Sequence, residues 1–216
     1  VIWVTPNIHL RPIMTFKYKS YLSEKYFLSI LLIITFLLHI PYFTDSFVGE
    51  DEAIYLANAN LLLGEKGLYD EIIHGKGPFV IYFFAFLSST FENSIIVLRI
   101  STAVVNSLSS VLIYYISKKM GNNIVGMCSS IIYSISIVHP AFNGFYGMTD
   151  PYMNIFCLLS LLLVLFRGEK NEYHFIFLSG ISICFAFLSK QVSIVFIPTL
   201  VLVLIHFDVS KKIDIN

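Results

Sequence analysis

Three consecutive carboxylates open one stretch of the sequence that could perform acid–base chemistry. They are Glu50, Asp51 and Glu52, and they precede A-I-Y-L-A-N-A-N-L-L-L-G, in which apolar residues recur at helical spacing. A helix dipole favours carboxylates in the first turn, and burial tunes their pKa. Two interpretations follow: a general base held at a lipid boundary, or a capped amphipathic helix whose charges face water.

Two lysines are candidates for binding an anion. Lys76 lies at the tip of the turn H-G-K-G-P, and Lys190 lies within the apolar stretch F-L-S-K-Q-V-S. An ammonium group is a point charge that suits a phosphate, and a lysine among apolar residues usually has a specific partner. The alternative for Lys76 is a long side chain that reaches the membrane interface. For Lys190, the candidate partners are Asp150, Asp51 or a bound anion.

A fourth carboxylate, Asp150, lies in the stretch G-M-T-D-P-Y-M. Either Thr149 or Asp150 could cap a helix that begins at Pro151, and capping alone would explain the aspartate. Considered with the other acidic residues and the two lysines, Asp150 instead indicates a pocket for an anionic, partly lipidic substrate.

Long apolar segments must position these groups. The chain has 216 residues, of which 56% are hydrophobic and 13% are charged, whereas soluble domains are roughly 45–50% apolar and about 25% charged. Most of the apolar segments approach the length that crosses a bilayer core of roughly 30 Å. The sequence therefore predicts an all-α, polytopic transmembrane helical bundle with six spans, at residues 26–43, 95–117, 123–141, 152–167, 173–189 and 191–208.

The positive charges predict the orientation of these spans. If the short segment Pro78–Phe91 is interfacial, most lysines and arginines fall on the cytoplasmic side. Residues 1–25 are then a cytoplasmic segment, 44–94 form the first outer loop with interfacial helices, and 209–216 are a truncated cytoplasmic tail. We therefore predict a multi-pass protein of the cell membrane, whose candidate site lies on the extracytoplasmic side and contacts membrane lipids.

Charge and cysteine content exclude some other classes of protein. The formal net charge is +0, so no nucleic-acid partner is expected. Cys128, Cys157 and Cys184 lie inside apolar segments without the spacing of a metal site, which is typical of small core residues.

The acidic stretch, together with L-Y-D, H-G-K-G-P, T-D-P and L-S-K-Q at these distances, resembles the C-type (GT-C) membrane glycosyltransferases. The most similar branch contains the aminoarabinose transferases and protein O-mannosyltransferases. The resemblance covers nearly all of residues 26–208, which correspond to the N-terminal transmembrane module of that family. It implies transfer of a sugar from a polyprenyl- or dolichyl-phosphate donor to a lipid, glycan or protein acceptor on the outer face of the membrane, usually with inversion at the anomeric carbon.

The resemblance also implies roles for individual residues. Asp51 matches the catalytic carboxylate, and Glu52 matches the second member of the pair, which supports or orients the first. Lys76 and Lys190 match lysines near the donor phosphate. Asp150 matches an acidic residue that helps to hold a divalent metal in some members, so a divalent metal is a candidate cofactor.

The sequence departs from the family pattern in two ways. Gly75 stands where some members carry a metal-binding glutamate, which argues against a metal site of that kind, and the predicted spans are fewer than most members have. Two alternatives therefore stay open. One is a membrane transporter, which the position of the charges outside the spans disfavours. The other is a non-catalytic remnant of such an enzyme.

Overall fold

The computed structural model describes residues 24–45, 49–64, 77–91, 94–168 and 172–213. Every regular element in these ranges is helical, so the predicted all-α class is confirmed. Two 3₁₀ turns cover Pro140–Phe142 and Gln191–Phe196. The α-helices of the described ranges are α1 (Glu24–Leu37), α2 (Ile40–Phe43), α3 (Glu50–Leu63), α4 (Pro78–Thr90), α5 (Ser94–Met120), α6 (Asn123–Ile137), α7 (Thr149–Leu165), α8 (Glu172–Ser189) and α9 (Ile197–Ile213).

Local sequence signals set where several helices begin. Helix α4 starts at Pro78, whose fixed φ suits a first turn that needs no N–H from this residue. Asn122 caps α6 by accepting a hydrogen bond from the backbone N–H of Val125 at 3.0 Å. At α7 the cap position is Met148, and no side chain makes a capping hydrogen bond there. The capping interpretation of Asp150 is therefore wrong, although the residue does lie in the first turn.

Three described segments are long and apolar enough to cross a membrane, namely Glu24–Phe43, Ile95–Met120 and Glu172–Ser189. They coincide with the first, second and fifth predicted spans. The other predicted spans correspond to shorter apolar helices, as does the segment predicted to be interfacial, so the total of six crossings stays a prediction. These shorter helices are Pro78–Thr90, Asn123–Ile137, Thr149–Leu165 and Gln191–His206.

Helix α5 is the centre of the bundle and packs against α1, α6 and α7. Small residues allow the helices to approach closely, because a Cβ on Gly126 of α6 would lie 2.9 Å from the carbonyl oxygen of Tyr114. Buried hydroxyl pairs join neighbouring helices: Ser160 and Ser179 link α7 to α8 at 2.7 Å. Small residues and hydrogen bonds between helices are typical of packing in lipid, where apolar burial provides little drive.

The outer faces of the bundle are strongly apolar. Large side chains on α1, α6, α8 and α9 are exposed, among them Ile33, Ile132, Phe177 and Leu202. A continuous apolar surface of this kind is unusual for a soluble monomer and suits contact with lipid chains. Helices α3 and α4 instead pack on each other and on α5 through a buried cluster around Tyr55, Phe84 and Leu98.

Candidate active site

Glu52 lies at the centre of a buried ionic cluster. Its two carboxylate oxygens accept hydrogen bonds from the Nε and Nη2 atoms of Arg99 at 3.0 and 2.8 Å. The backbone N–H of Gly147 donates a third hydrogen bond to Oε1 at 2.9 Å. Both charged side chains are 0% exposed. Such a fully paired carboxylate is suited to holding helices together, and its lone pairs are committed to these donors.

Arg99 connects this cluster to a further part of the fold. Its Nη1 atom donates to the backbone oxygens of Tyr42 and Asp45 at 2.9 and 2.7 Å. The guanidinium also lies 5.5 Å from the ring centroid of Tyr146. Arg99 thus joins the end of α2, the first turn of α3 and the loop before α7. Arg99 was not among the candidate residues predicted from the sequence, although an arginine at the start of an apolar span usually requires a partner.

Asp51 differs from Glu52 in its burial and in its hydrogen bonding. It lies in the first turn of α3 and is half-buried. Within the described ranges, its carboxylate has no hydrogen-bond or salt-bridge partner. Because successive helical residues point about 100° apart, Glu52 faces the protein interior while Asp51 is turned away from that cluster. A partly dehydrated carboxylate with free lone pairs is suited to accept a proton.

Asp150 and Lys190 form a second charged pair. The Lys190 Nζ atom donates to both oxygens of Asp150 at 2.7 and 2.8 Å. Their side chains are 46% and 35% exposed, respectively, so the pair is open to a ligand. Lys190 follows the last residue of α8. Its partner, Asp150, is one of the three candidate partners that the sequence suggested. An ammonium group held in this way can exchange one oxyanion for another.

Contacts between the N-terminal half of α3 and the first turn of α7 bring the two charged groups to one end of the bundle. The Tyr55 hydroxyl lies 3.4 Å from Oγ1 of Thr149, the residue before Asp150. Gly49, which caps α3, faces the ring of Tyr146, since a Cβ there would lie 3.6 Å from it. Asp51, Glu52, Asp150 and Lys190 therefore belong to adjoining elements at the same end of the molecule.

Lys76 lies outside the described residues, so its predicted role is untested. The next residue, Gly77, packs directly on the end of α8. A Cβ on Gly77 would lie 2.1 Å from the carbonyl oxygen of Leu188 and 2.8 Å from the carbonyl carbon of Ser189. The second glycine of H-G-K-G-P is thus required for the start of α4 to contact the residues that precede Lys190.

A cavity of about 520 Å³ is lined by residues that follow Asp150 and Lys190 in sequence. Met153 and Asn154, one helical turn beyond Asp150, form one wall. Val192 and Ser193, two and three residues after Lys190, form another. Most of the remaining lining is apolar, so the cavity offers space for a chain that is mainly hydrocarbon.

The described residues do not offer a donor set that fits a divalent cation. No group of three or more His, Cys, Asp or Glu side chains lies close enough together in these ranges to hold a metal ion. Both oxygens of Asp150 accept from Lys190, which already neutralises that carboxylate. The metal at Asp150 stays a prediction.

Tyr146 is a further ionisable group at this end of the bundle. Burial raises the pKa of its hydroxyl above the ordinary value, and the negative charge of Asp45 raises the pKa further. The phenol therefore stays neutral at physiological pH. Tyr146 is suited to pack against Arg99 and is excluded as a general base.

The profile of the family described as dolichyl-phosphate-mannose-protein mannosyltransferase matches residues 75–214. The chain therefore belongs to this family, and the predicted kinship with C-type glycosyltransferases is confirmed. No curated protein and no solved structure matches the chain. The matched range includes Lys76, Asp150 and Lys190, whereas Asp51 and Glu52 precede it.

Proposed function

We propose that this chain transfers a sugar from a polyprenyl- or dolichyl-phosphate donor to a hydroxyl of a lipid, glycan or protein acceptor. The observation that carries the proposal is the contrast between two adjacent carboxylates. Glu52 is buried and fully paired, while Asp51 is half-buried and has no partner within the described ranges. This arrangement provides one rigid anchor and one available base at the end of the bundle that also carries Lys190, an ammonium group that suits a phosphate.

Asp51 acts as the general base in this proposal. Its carboxylate removes the proton from the acceptor hydroxyl as the hydroxyl oxygen attacks the anomeric carbon of the donor. The bond between that carbon and the phosphate oxygen breaks, and its electron pair stays on the phosphate. Attack in line with the leaving group inverts the anomeric configuration. The products are the glycosylated acceptor, the polyprenyl phosphate and a protonated Asp51.

Glu52 positions Asp51 without taking part in proton transfer. Three hydrogen bonds from Arg99 and Gly147 hold its carboxylate. Because the two acidic residues are consecutive in the first turn of α3, fixing one restricts the other. A base that is held in place before the substrate binds lowers the entropic part of the barrier.

Lys190 and Lys76 provide positive charge for the donor phosphate. Lys190 can exchange the carboxylate of Asp150 for a phosphate oxygen, since both side chains are partly exposed. Lys76 precedes Gly77, which packs against the end of α8 near Lys190. Positive charge at this point stabilises the phosphate as it accumulates negative charge in the transition state. The largely apolar cavity between Met153 and Val192 is suited to isoprene units of the donor.

The site faces the extracytoplasmic side in this proposal. The basic residues Lys118, Lys119 and Arg167 lie at the ends of α5 and α7 that are remote from Asp51. Positive charges beside spans concentrate on the cytoplasmic side, which assigns the opposite end of the bundle to the exterior. Polyprenyl-phosphate sugars present their head groups at such a surface.

The proposal is tested by replacing the base. The full chain in lipid nanodiscs would be given mannosyl-phosphoryl-polyprenol and a membrane extract as a source of acceptors. Release of polyprenyl phosphate reports turnover whichever acceptor receives the sugar. Asp51→Asn should lower turnover by about 100- to 10,000-fold, while Glu50→Gln, an exposed carboxylate in the same turn, should stay within about twofold of the parent. Equal turnover in the parent and Asp51→Asn would remove Asp51 from the mechanism.

A further inference from the structure

The loop between α6 and α7 bends sharply before it reaches the carboxylates. Asn143 has a left-handed backbone, with a φ of 50°, a region that asparagine tolerates better than most residues. A Cβ on Gly144 would lie 2.5 Å from the carbonyl oxygen of Ile137, so this position accepts only glycine. Three residues later, the loop presents the N–H of Gly147 to Glu52.

Asn106 of α5 holds this bend from the interior of the bundle. Its Nδ2 atom donates to the backbone oxygen of Gly144 at 2.7 Å and lies 3.0 Å from Nε2 of His39. Its Oδ1 atom accepts from the hydroxyl of Tyr133 at 3.3 Å. Both amide hydrogens and the amide oxygen are therefore used, which fixes the orientation of this side chain.

His39 in turn fixes the amide of Asn106. Its Nδ1 atom lies 2.8 Å from the backbone oxygen of Thr35. A carbonyl oxygen only accepts, so Nδ1 carries the proton and Nε2 of the neutral ring accepts from Asn106. His39 and Asn106 are both 0% exposed. The pair thus forms a dry polar link between α1, α5 and the loop.

We infer that Asn106, oriented by His39, is a positioning residue for the site at Asp51 and Glu52. Asn106 contacts neither carboxylate. It acts through Gly144, whose position determines where the N–H of Gly147 meets Glu52. The kinetic consequence rests on the proposed function, whereas the structural coupling between the two regions does not.

Hydrogen–deuterium exchange of the full chain in nanodiscs tests the structural coupling. Asn106→Leu should accelerate exchange of the amides of residues 144–147 and of the first turn of α3 by about tenfold or more, because the Gly144 carbonyl loses its donor. The control is Ser134→Ala, which removes another buried hydrogen bond of the same region. This bond joins the Ser134 hydroxyl to Oγ1 of Thr35 at 2.7 Å. Exchange at both sites should be unchanged in the control.

Steady-state kinetics test the consequence for the site. With mannosyl-phosphoryl-polyprenol as donor, Asn106→Leu should lower kcat per folded molecule by about tenfold or more. The donor KM should stay within about twofold, because no lysine is displaced. A residue that only stabilises the fold would reduce the folded fraction and leave kcat per folded molecule intact, as we expect for Ser134→Ala.

His39 provides a second pair of variants should Asn106→Leu fail to fold. His39→Gln retains an acceptor for Asn106 and should keep exchange at Gly147 as slow as in the parent. His39→Phe keeps the ring volume without the acceptor and should accelerate exchange at Gly147.

Parent-like exchange at residues 144–147 in both Asn106→Leu and His39→Phe would overturn the inference, as would equal exchange in the two His39 variants. If the exchange pattern is as expected but no variant, including the parent, releases polyprenyl phosphate, the proposed function fails and the structural coupling stands.

Discussion

At the scale of single residues, burial separates two adjacent carboxylates into different roles. Glu52 is 0% exposed and has three hydrogen-bond donors, while Asp51 is half-buried. A buried carboxylate without its counter-charge is strongly unfavourable, so Glu52 and Arg99 must be considered together. Asp51 carries no such requirement, and its carboxylate has no hydrogen-bond or salt-bridge partner in the described residues.

The buried ion pair predicts an asymmetry between single and double variants. Glu52→Gln removes the carboxylate charge that pairs with the buried Arg99 and should destabilise the fold by about 3–5 kcal/mol. Glu52→Leu combined with Arg99→Met removes both charges and should recover most of the lost stability. Thermal unfolding midpoints of purified protein check this. Equal midpoints for the single and double variants would contradict the pairing, and turnover should stay low in the double variant because Asp51 is no longer fixed.

Lys76 is predicted to bind the donor phosphate. Lys76→Ala should raise the donor dissociation constant by about tenfold or more, because a hydrogen bond to a charged group contributes about 1.5–3 kcal/mol. Binding of mannosyl-phosphoryl-polyprenol to nanodisc-embedded protein measures this constant. Lys66→Ala, a second lysine of the same predicted loop, is the matched control and should bind the donor as the parent does. Unchanged affinity in Lys76→Ala would assign the phosphate to other groups.

At the scale of elements, the site depends on where helices begin and end. The N-terminal half of α3 contacts the first turn of α7, and the start of α4 meets the end of α8 at Gly77. The ends of four helices therefore converge at one end of the bundle. Helices α3, α4 and α7 contribute their N-terminal ends, whose unpaired N–H groups and partial positive charge favour anionic substrates.

The contact between α4 and α8 predicts different outcomes for two glycine substitutions. Gly77→Ala places a Cβ 2.1 Å from the carbonyl oxygen of Leu188, so α4 must move away, and both stability and donor affinity should fall. In Gly180→Ala, the new Cβ on α8 would have no neighbouring atom within 4 Å. This substitution should stabilise the helix by about 0.5–1 kcal/mol. Unfolding midpoints and donor binding distinguish the two. A Gly77→Ala variant with parent-like values would show that this contact is not required.

At the scale of the whole molecule, the apolar surface and the distribution of charge define how the bundle sits in the membrane. Exposed isoleucine, leucine and phenylalanine side chains cover α1, α6, α8 and α9. The carboxylate site occupies one end of the bundle, and Lys118, Lys119 and Arg167 occupy the other. This polarity is the basis of the proposed extracytoplasmic site.

Cysteine labelling of intact cells tests the orientation. Phe142 lies between α6 and α7, at the end of the bundle that carries the candidate site, and is 66% exposed. Met120 is the last residue of α5, at the opposite end of the bundle, and is 67% exposed. In a background in which Cys128, Cys157 and Cys184 are alanine, Phe142→Cys should react with a membrane-impermeant maleimide, and Met120→Cys should react only after permeabilisation. The reverse pattern would place the carboxylates on the cytoplasmic side and refute the proposed topology.

The sequence by itself determined the helical class, the apolar character and the family. These properties depend on segments that are contiguous in the chain, such as apolar runs, Gly64 after α3 and Pro78 at the start of α4. Motifs such as T-D-P and L-S-K-Q are equally local, so the fold is not needed to recognise them. The family assignment agrees with the resemblance that these motifs indicated.

Only the tertiary structure decided which charged groups are paired. Arg99 lies 47 positions from Glu52 in sequence, and Lys190 lies 40 positions from Asp150. The link from Asn106 to Gly144, 38 positions apart, has no sequence signature at all. The physical reason is that such pairs depend on how each helix is rotated and where it crosses its neighbours. Many crossings satisfy the same apolar pattern, and only the packed bundle selects the one that leaves Asp51 without a partner in the described ranges.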